Sequence, residues 1–235
     1  MDHDIFTAIR NGDIDPIKQL INEDPNCINT VDDLMNTPLN IACDTNEPNY
    51  EIIKLLIEKG VNIETKNYYG RNALQKATVN NNLELVKFLI VNGANIKIKD
   101  HYDDTILHLA SQHGCVEVLK LLLENSPYKI DINAKNSDES TSLHLASING
   151  HYKIVELLIE YGADIDAIDN VSKTSLYRAI CYQQFKIIRL LLKNGAYVDE
   201  TCIQLAKENN LTRLVKLLKN NVNKKLKKLN NTSLL

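Results

Sequence analysis

The chain has 235 residues, 44% of them apolar and 24% charged, with a net charge of −3, no Trp and only 3 Phe. That composition excludes a low-complexity or fibrous chain and calls for a core of Leu, Ile, Val and Ala. No apolar run approaches the roughly 20 residues of a membrane span, no charged-then-apolar leader opens the chain, and five scattered cysteines without a CxxC pair suit a reducing compartment better than a disulfide framework.

Charge is unevenly placed. No acid follows Glu208, so Arg213, Lys216, Lys219, Lys224, Lys225, Lys227 and Lys228 give +7 at the end and leave −10 in the preceding residues. The heavy use of Asn, Lys and Ile fits an AT-rich genome. Cytoplasmic residence is expected, with export into a host cytoplasm if the source is an intracellular bacterium.

In chain order, apolar patterning predicts helix pairs that repeat. The first pair sets Ile5, Ile9 and Ile17 among polar Asp4, Thr7, Arg10 and Asp13, as suits the end of a stack. The second begins at Leu39 (TPLNIACD) and carries a two-residue insertion, DTNEPNYE, between its helices. The third begins at Leu74 (NALQKATVNNN) and the fourth at Leu107 (TILHLASQHG), the latter ending in a long loop, NSPYKIDIN. In the fifth, around Leu143, Thr141 and Ser142 precede a short helix, LHLASIN. Gly150 and His151 then turn the chain into YKIVELLIEY, whose Ile154, Val155, Leu157 and Leu158 make one apolar face. Gly162 stops that helix and ADIDA runs extended. The sixth begins at Leu176 (TSLYRAICYQQ). The seventh, at Ile203 (CIQLAKENN), follows after only 27 residues, so its hairpin (YVDETC) is expected to be lost and the unit to cap the stack. The other spacings are 34, 35, 33, 36 and 33 residues.

A helix pair of this length cannot bury its own apolar face, so neighbouring copies must stack. Ala8, Ala42, Ala77, Ala110, Ala146, Ala179 and Ala206 share one phase in the first helices, where a bulkier side chain would push neighbours apart.

The period and the TPLH-like and GADI-like segments resemble the ankyrin repeat family over about residues 2–220. The resemblance implies an all-α ankyrin-repeat solenoid of about seven helix-turn-helix units with protruding hairpin loops. On this reading residues 1–220 form one repeat domain, with caps at about 1–31 and 200–220, and 221–235 form a flexible basic tail. It further implies that His108 and His144, at the family's TPLH histidine, bond the preceding Thr and the next loop. Asn40, Gln75 and Tyr177 stand at the matching positions, so no chemical duty is common to all repeats. Glycine at the hairpin tip survives only as Gly70, against Met35, Asp103, Glu139 and Ser172, which predicts hairpins of differing shape.

Nothing in the chain has the spacing of a catalytic or cofactor motif: there is no HExxH, GxxxxGK[ST] or GxGxxG. Cys115 and His113 come nearest to a nucleophile pair, but they fall at the turn after a first helix. Asp100 and Asp169 recur at the start of hairpins, where turn stabilisation is the plain reading. No enzyme, cofactor or metal is therefore expected, and the resemblance implies a monomeric protein-binding scaffold, adaptor or inhibitor whose partner meets the hairpin tips and first helices of the concave face. Mapping by phase places Tyr68, Tyr69, Arg71, His101, Tyr102, Asp104 and Asp138 at hairpin tips, and Gln112, His113 and Tyr182 at exposed ends of first helices. Tyr and Arg dominate interface hot spots, which makes these ten the partner-binding candidates. The alternative is electrostatic binding of nucleic acid or anionic membrane by the lysine-rich tail.

Overall fold

The computed structural model describes residues 4–45, 47–124 and 130–232, the last nine of these as backbone only. Among the described residues there are fourteen α-helices and one 3-10 turn, and no strand beyond a single bridge between Ile168 and Thr174. Contacts divide the chain into two units, 1–130 and 131–235.

The first unit holds four helix pairs: α1 (Ile5–Asn11) and α2 (Ile14–Glu23), α3 (Pro38–Cys43) and α4 (Tyr50–Glu58), α5 (Ala73–Val79) and α6 (Leu83–Val91), α7 (Ile106–His113) and α8 (Val116–Glu124). First helices pack in series, α1 on α3, α3 on α5 and α5 on α7. The contact surfaces hold Leu39, Leu74 and Leu107, each at most 1% exposed, with Ala77 and Ala110 fully buried between helices. Ile52, Ile53 and Leu56 of α4 and Leu85, Val86 and Leu89 of α6 close the core from the second-helix side. Each such side chain contributes about 1.5–3 kcal/mol by leaving water. The polar first pair behaves as an end unit, burying Ile5, Ile9 and Ile17 while Arg10 stays exposed.

The second unit contains α9 (Ser142–Asn149) with α10 (Tyr152–Glu160), α11 (Ser175–Cys181) with α12 (Phe185–Lys193), and α13 (Glu200–Glu208) with α14 (Thr212–Thr232). Here α9 packs on α11 and α11 on α13, with Ala146, Ala179 and Ala206 all fully buried. Six residues join α12 to α13, and Asp199 caps α13 directly, its carboxylate accepting from Cys202 N at 2.8 Å, so no hairpin intervenes. The helix α14 runs past residue 221, where the sequence placed the start of a tail, and continues to Thr232. The loop segment 125–129 lies outside the described residues.

Each first helix starts from a polar residue that turns the chain. Thr105 Oγ1 accepts from His108 N (3.4 Å) and Thr141 O from His144 N (3.0 Å), while Nδ1 of His108 and of His144 accepts from the N–H of the Thr before it (both 3.2 Å). A capping box forms in α3 with Asn40 and in α5 with Gln75. An amide thus performs the backbone-capping task that the resemblance assigned to histidine.

Candidate functional site

Every hairpin rests on one Asp or Asn. In the first unit Asp32 Oδ1 accepts from the N–H groups of Leu34 (2.9 Å) and Asn36 (2.8 Å). Asn67 Oδ1 accepts from Tyr69 and Arg71 (both 3.0 Å), and Asp100 Oδ1 from Tyr102 (2.9 Å) and Asp104 (3.0 Å). In the second unit Asn136 serves Asp138 and Ser140, and Asp169 serves Val171 and Lys173. These are Asx turns, in which a short polar side chain imitates a backbone turn. For Asp100 and Asp169 they confirm turn stabilisation.

The expectation of hairpins with differing shapes is overturned. Met35, Asp103, Glu139 and Ser172 all take positive φ, between 53° and 58°, in the register where Gly70 has 76°. The Asx turn and the main-chain bond that closes each hairpin, such as Asp100 N to Asp104 O at 3.1 Å, impose the left-handed residue whatever its side chain. Gly70 has a separate reason to be glycine. A Cβ there would stand 2.5 Å from His101 N and 2.4 Å from its ring, because the next hairpin lies directly against it.

Adjacent hairpins are joined through main chain. Tyr68 N donates to Leu34 O (2.9 Å) and His101 N to Tyr69 O (3.2 Å) in the first unit, and Asn170 N donates to Asp138 O (3.0 Å) in the second. Beneath them Asn67 Nδ2 donates to Asn36 Oδ1 (3.1 Å) and Arg71 Nε to Asp100 Oδ2 (3.1 Å). The extended arms add a second seam: Asn29 Oδ1 accepts from Asn62 N, Glu64 from Asn95 N, Asn133 from Asp164 N and Asp166 from Tyr197 N, at 2.7–3.1 Å. That seam was not read from the sequence, although for Glu64 and Asp166 its signal is an acid four residues past the glycine that ends a helix, Gly60 or Gly162.

On this frame the first unit presents Tyr68, Tyr69 and Tyr102, which are 63%, 47% and 57% exposed. The rings of Tyr68 and Tyr69 meet edge to face at 5.6 Å, steadying each other without being covered. His101 is exposed beside them, and Gln112 and His113 are exposed at the end of α7. Two candidates are corrected. Asp104 is only 6% exposed, because its main chain closes the turn and its carbonyl accepts from Gln75 Nε2. Arg71 is half-buried and held by the fully covered Asp100 carboxylate, so it braces the hairpin more than it addresses solvent. Asp138 and Tyr182 are exposed in the second unit.

The remaining titratable groups are set for structure. Burial pushes the Cys115 thiol up to about 11, and its Sγ lies 3.1 Å from Thr78 O, so it is a protonated core group and no thiolate nucleophile. Burial likewise raises Cys202 to about 12. His144 Nδ1 accepts from Thr141 N (3.2 Å) while Nε2 donates to Lys173 O (3.0 Å), which defines the neutral tautomer. Burial lowers its pKa below 6.5, partly offset by that carbonyl. For Asp169 burial acts upward, but the N–H of Lys173, the Arg178 guanidinium at 2.6 Å and the N–H of Val171 together hold the carboxyl below 3.8. Among the described residues no group of three His, Cys, Asp or Glu is placed to hold a metal, and no helix is long and apolar enough to cross a membrane.

The family model described as Ankyrin repeats (3 copies) matches in four overlapping windows, 5–100, 49–136, 80–169 and 107–202. The chain belongs to the ankyrin repeat family. Ankyrin repeats are in general protein–protein interaction modules. The chain is also similar to NAD-dependent deacetylase sir2B of Dictyostelium discoideum, 34% identical over 65 residues. That similarity covers 28% of this chain and 8% of the deacetylase.

Proposed function

We propose that this ankyrin repeat protein is a non-enzymatic protein-binding module, a scaffold, adaptor or inhibitor, whose partner docks on the hairpin side of the first unit. The observation that supports it is the row of three half-exposed tyrosines, Tyr68, Tyr69 and Tyr102, on hairpins pinned by Asx turns and main-chain bonds. Rigid aromatic groups give large contact area at low ordering cost, and pinning the backbone lowers that cost further. His101, on the same hairpin as Tyr102, adds an exposed polar group, and Gln112 and His113 are exposed at the end of α7.

A partner captured from lysate of the source cells tests the reading. Tyr69→Ala with Tyr102→Ala should raise its Kd about tenfold or more while leaving the Tm within about 2 °C, since neither ring is in the core. Replacing Lys224, Lys225, Lys227 and Lys228 by Gln should have little effect at physiological salt. Binding that ignores the tyrosines and vanishes with the lysines would move the function to the C-terminal segment and favour the electrostatic reading.

A further inference from the structure

The second unit has a feature that the hairpin reading does not use. Helices α12 and α14 leave a groove of about 400 Å³ between them. Ile188 and Leu214, both buried, make its floor, and Phe185 (45% exposed) and Leu217 (39% exposed) stand as apolar walls open to solvent. Arg189 and Arg213 are exposed on its rim. In a chain with only three Phe, one is half in water here, beside a leucine equally uncovered.

Charge defines what fits. From Phe185 to Lys193 and from Thr212 to Asn223 the two helices carry Lys186, Arg189, Lys193, Arg213, Lys216 and Lys219 and no acid. None of the six is in an ion pair among the described residues. The acids of the intervening chain are already engaged: Asp199 caps α13, Glu200 pairs with Lys207, and Glu208 accepts from Gln204. An apolar trough with an uncompensated basic border matches a ligand with the opposite layout.

We propose that this groove is a second docking site, and that its occupant is an acidic amphipathic helix of a partner protein, apolar on one face and flanked by Asp or Glu. The apolar floor favours side chains over a phosphate backbone, which would desolvate against Ile188, Leu214 and Phe185 without a polar counterpart. A helix is favoured over an extended strand because the groove is walled by two helices whose central backbone groups are bonded internally. An extended peptide would leave its own N–H and C=O groups unmatched, whereas a helix satisfies them itself. The carboxylates would then meet Arg189 and Arg213 while apolar side chains at i, i+3 or i+4 and i+7 meet Phe185 and Leu217.

The test is display selection of a helix-stabilised peptide library with randomised surface positions on the full chain, with counter-selection on Arg189→Glu/Arg213→Glu. Surviving peptides should combine an apolar stripe with flanking Asp or Glu. They should lose about tenfold or more in affinity on Arg189→Gln/Arg213→Gln and, separately, on Leu217→Ser, with melts confirming that each variant stays folded. Selected peptides without acids, or peptides indifferent to all three changes, would overturn the proposal. So would saturable binding of a single-stranded oligonucleotide or of phosphatidylserine vesicles that depends on the two arginines, which would assign the groove to phosphate. Self-association in sedimentation that Arg189→Glu/Arg213→Glu dissolves would instead make a second copy the occupant.

Discussion

Asp100 and Tyr102 are two residues apart and live under opposite rules. The carboxylate is 5% exposed, accepts two N–H groups and receives Arg71, whereas the ring is 57% exposed. The second unit repeats the contrast, with Asp169 2% exposed at the base of its hairpin and Val171 57% exposed at the tip. At the base only Asp or Asn occurs in all five hairpins, because only a short side-chain oxygen can serve both N–H groups. At the tip the side chains range from Tyr to Leu to Asp to Val. The base carries the geometry and the tip is free to carry recognition.

If that division is right, the largest effect should come from the base. Asp169→Ala removes the acceptor of two N–H groups and strands Arg178, and should cost about 3 kcal/mol in urea unfolding. Asp169→Asn should cost clearly less, since Asn67 and Asn136 show that an amide oxygen serves the same turn. Equal losses for the two would mean that the ion pair, and not the turn, holds the hairpin.

A test of the helix contact beneath comes next. Ala146→Leu forces three extra carbons into a site with no exposure, at a cost of about 2 kcal/mol by the same assay. A loss no greater than that of a tip substitution would break the alignment of phases.

The capping position sharpens the comparison through pH. His144 is neutral in the fold with its pKa lowered below 6.5, so its contribution is fully present above pH 6.5 and is lost as pH falls through the folded value. Asp169, also lowered, loses its contribution only as pH falls from about 3.8. His144→Gln, imitating Gln75, should stay within about 1 kcal/mol of the parent at pH 8 and should remove part of the decline that sets in as pH falls below 6.5. An unchanged decline in thermal melts across that range would show that His144 does not contribute to it.

The smallest effect belongs at a tip. Asp138→Ala changes an exposed side chain whose main-chain carbonyl still accepts from Asn170 N, and should alter stability by no more than about 0.5 kcal/mol.

The seven helix pairs and the buried alanines were legible in the sequence because periodicity reports burial directly. Hairpin shape was not. Reading glycine as the marker of a left-handed tip missed that the Asx residue three positions earlier enforces it, as the positive φ of Met35 and Glu139 demonstrates. Of the surface candidates, the four tyrosines Tyr68, Tyr69, Tyr102 and Tyr182 are exposed as phase placed them. Arg71 and Asp104 are not, because their exposure depends on the adjacent hairpin and on α5, information no single repeat contains. The groove between α12 and α14 escaped for the same reason: Arg189 and Arg213 lie 24 residues apart and acquire meaning only when their helices sit side by side.

The bonds that fasten one hairpin to the next, Tyr68 N to Leu34 O and His101 N to Tyr69 O, use no side-chain atom. Such a joint is blind to mutation at the positions it connects, and it is the same joint wherever it occurs. A repeat copied or exchanged within the array would therefore bring this joint with it, while the side-chain links beneath, such as Arg71 to Asp100, and the close approach at Gly70 would still have to match. The hairpin surface is consequently open to revision by recombination as well as by point change, with the whole finger as the unit exchanged.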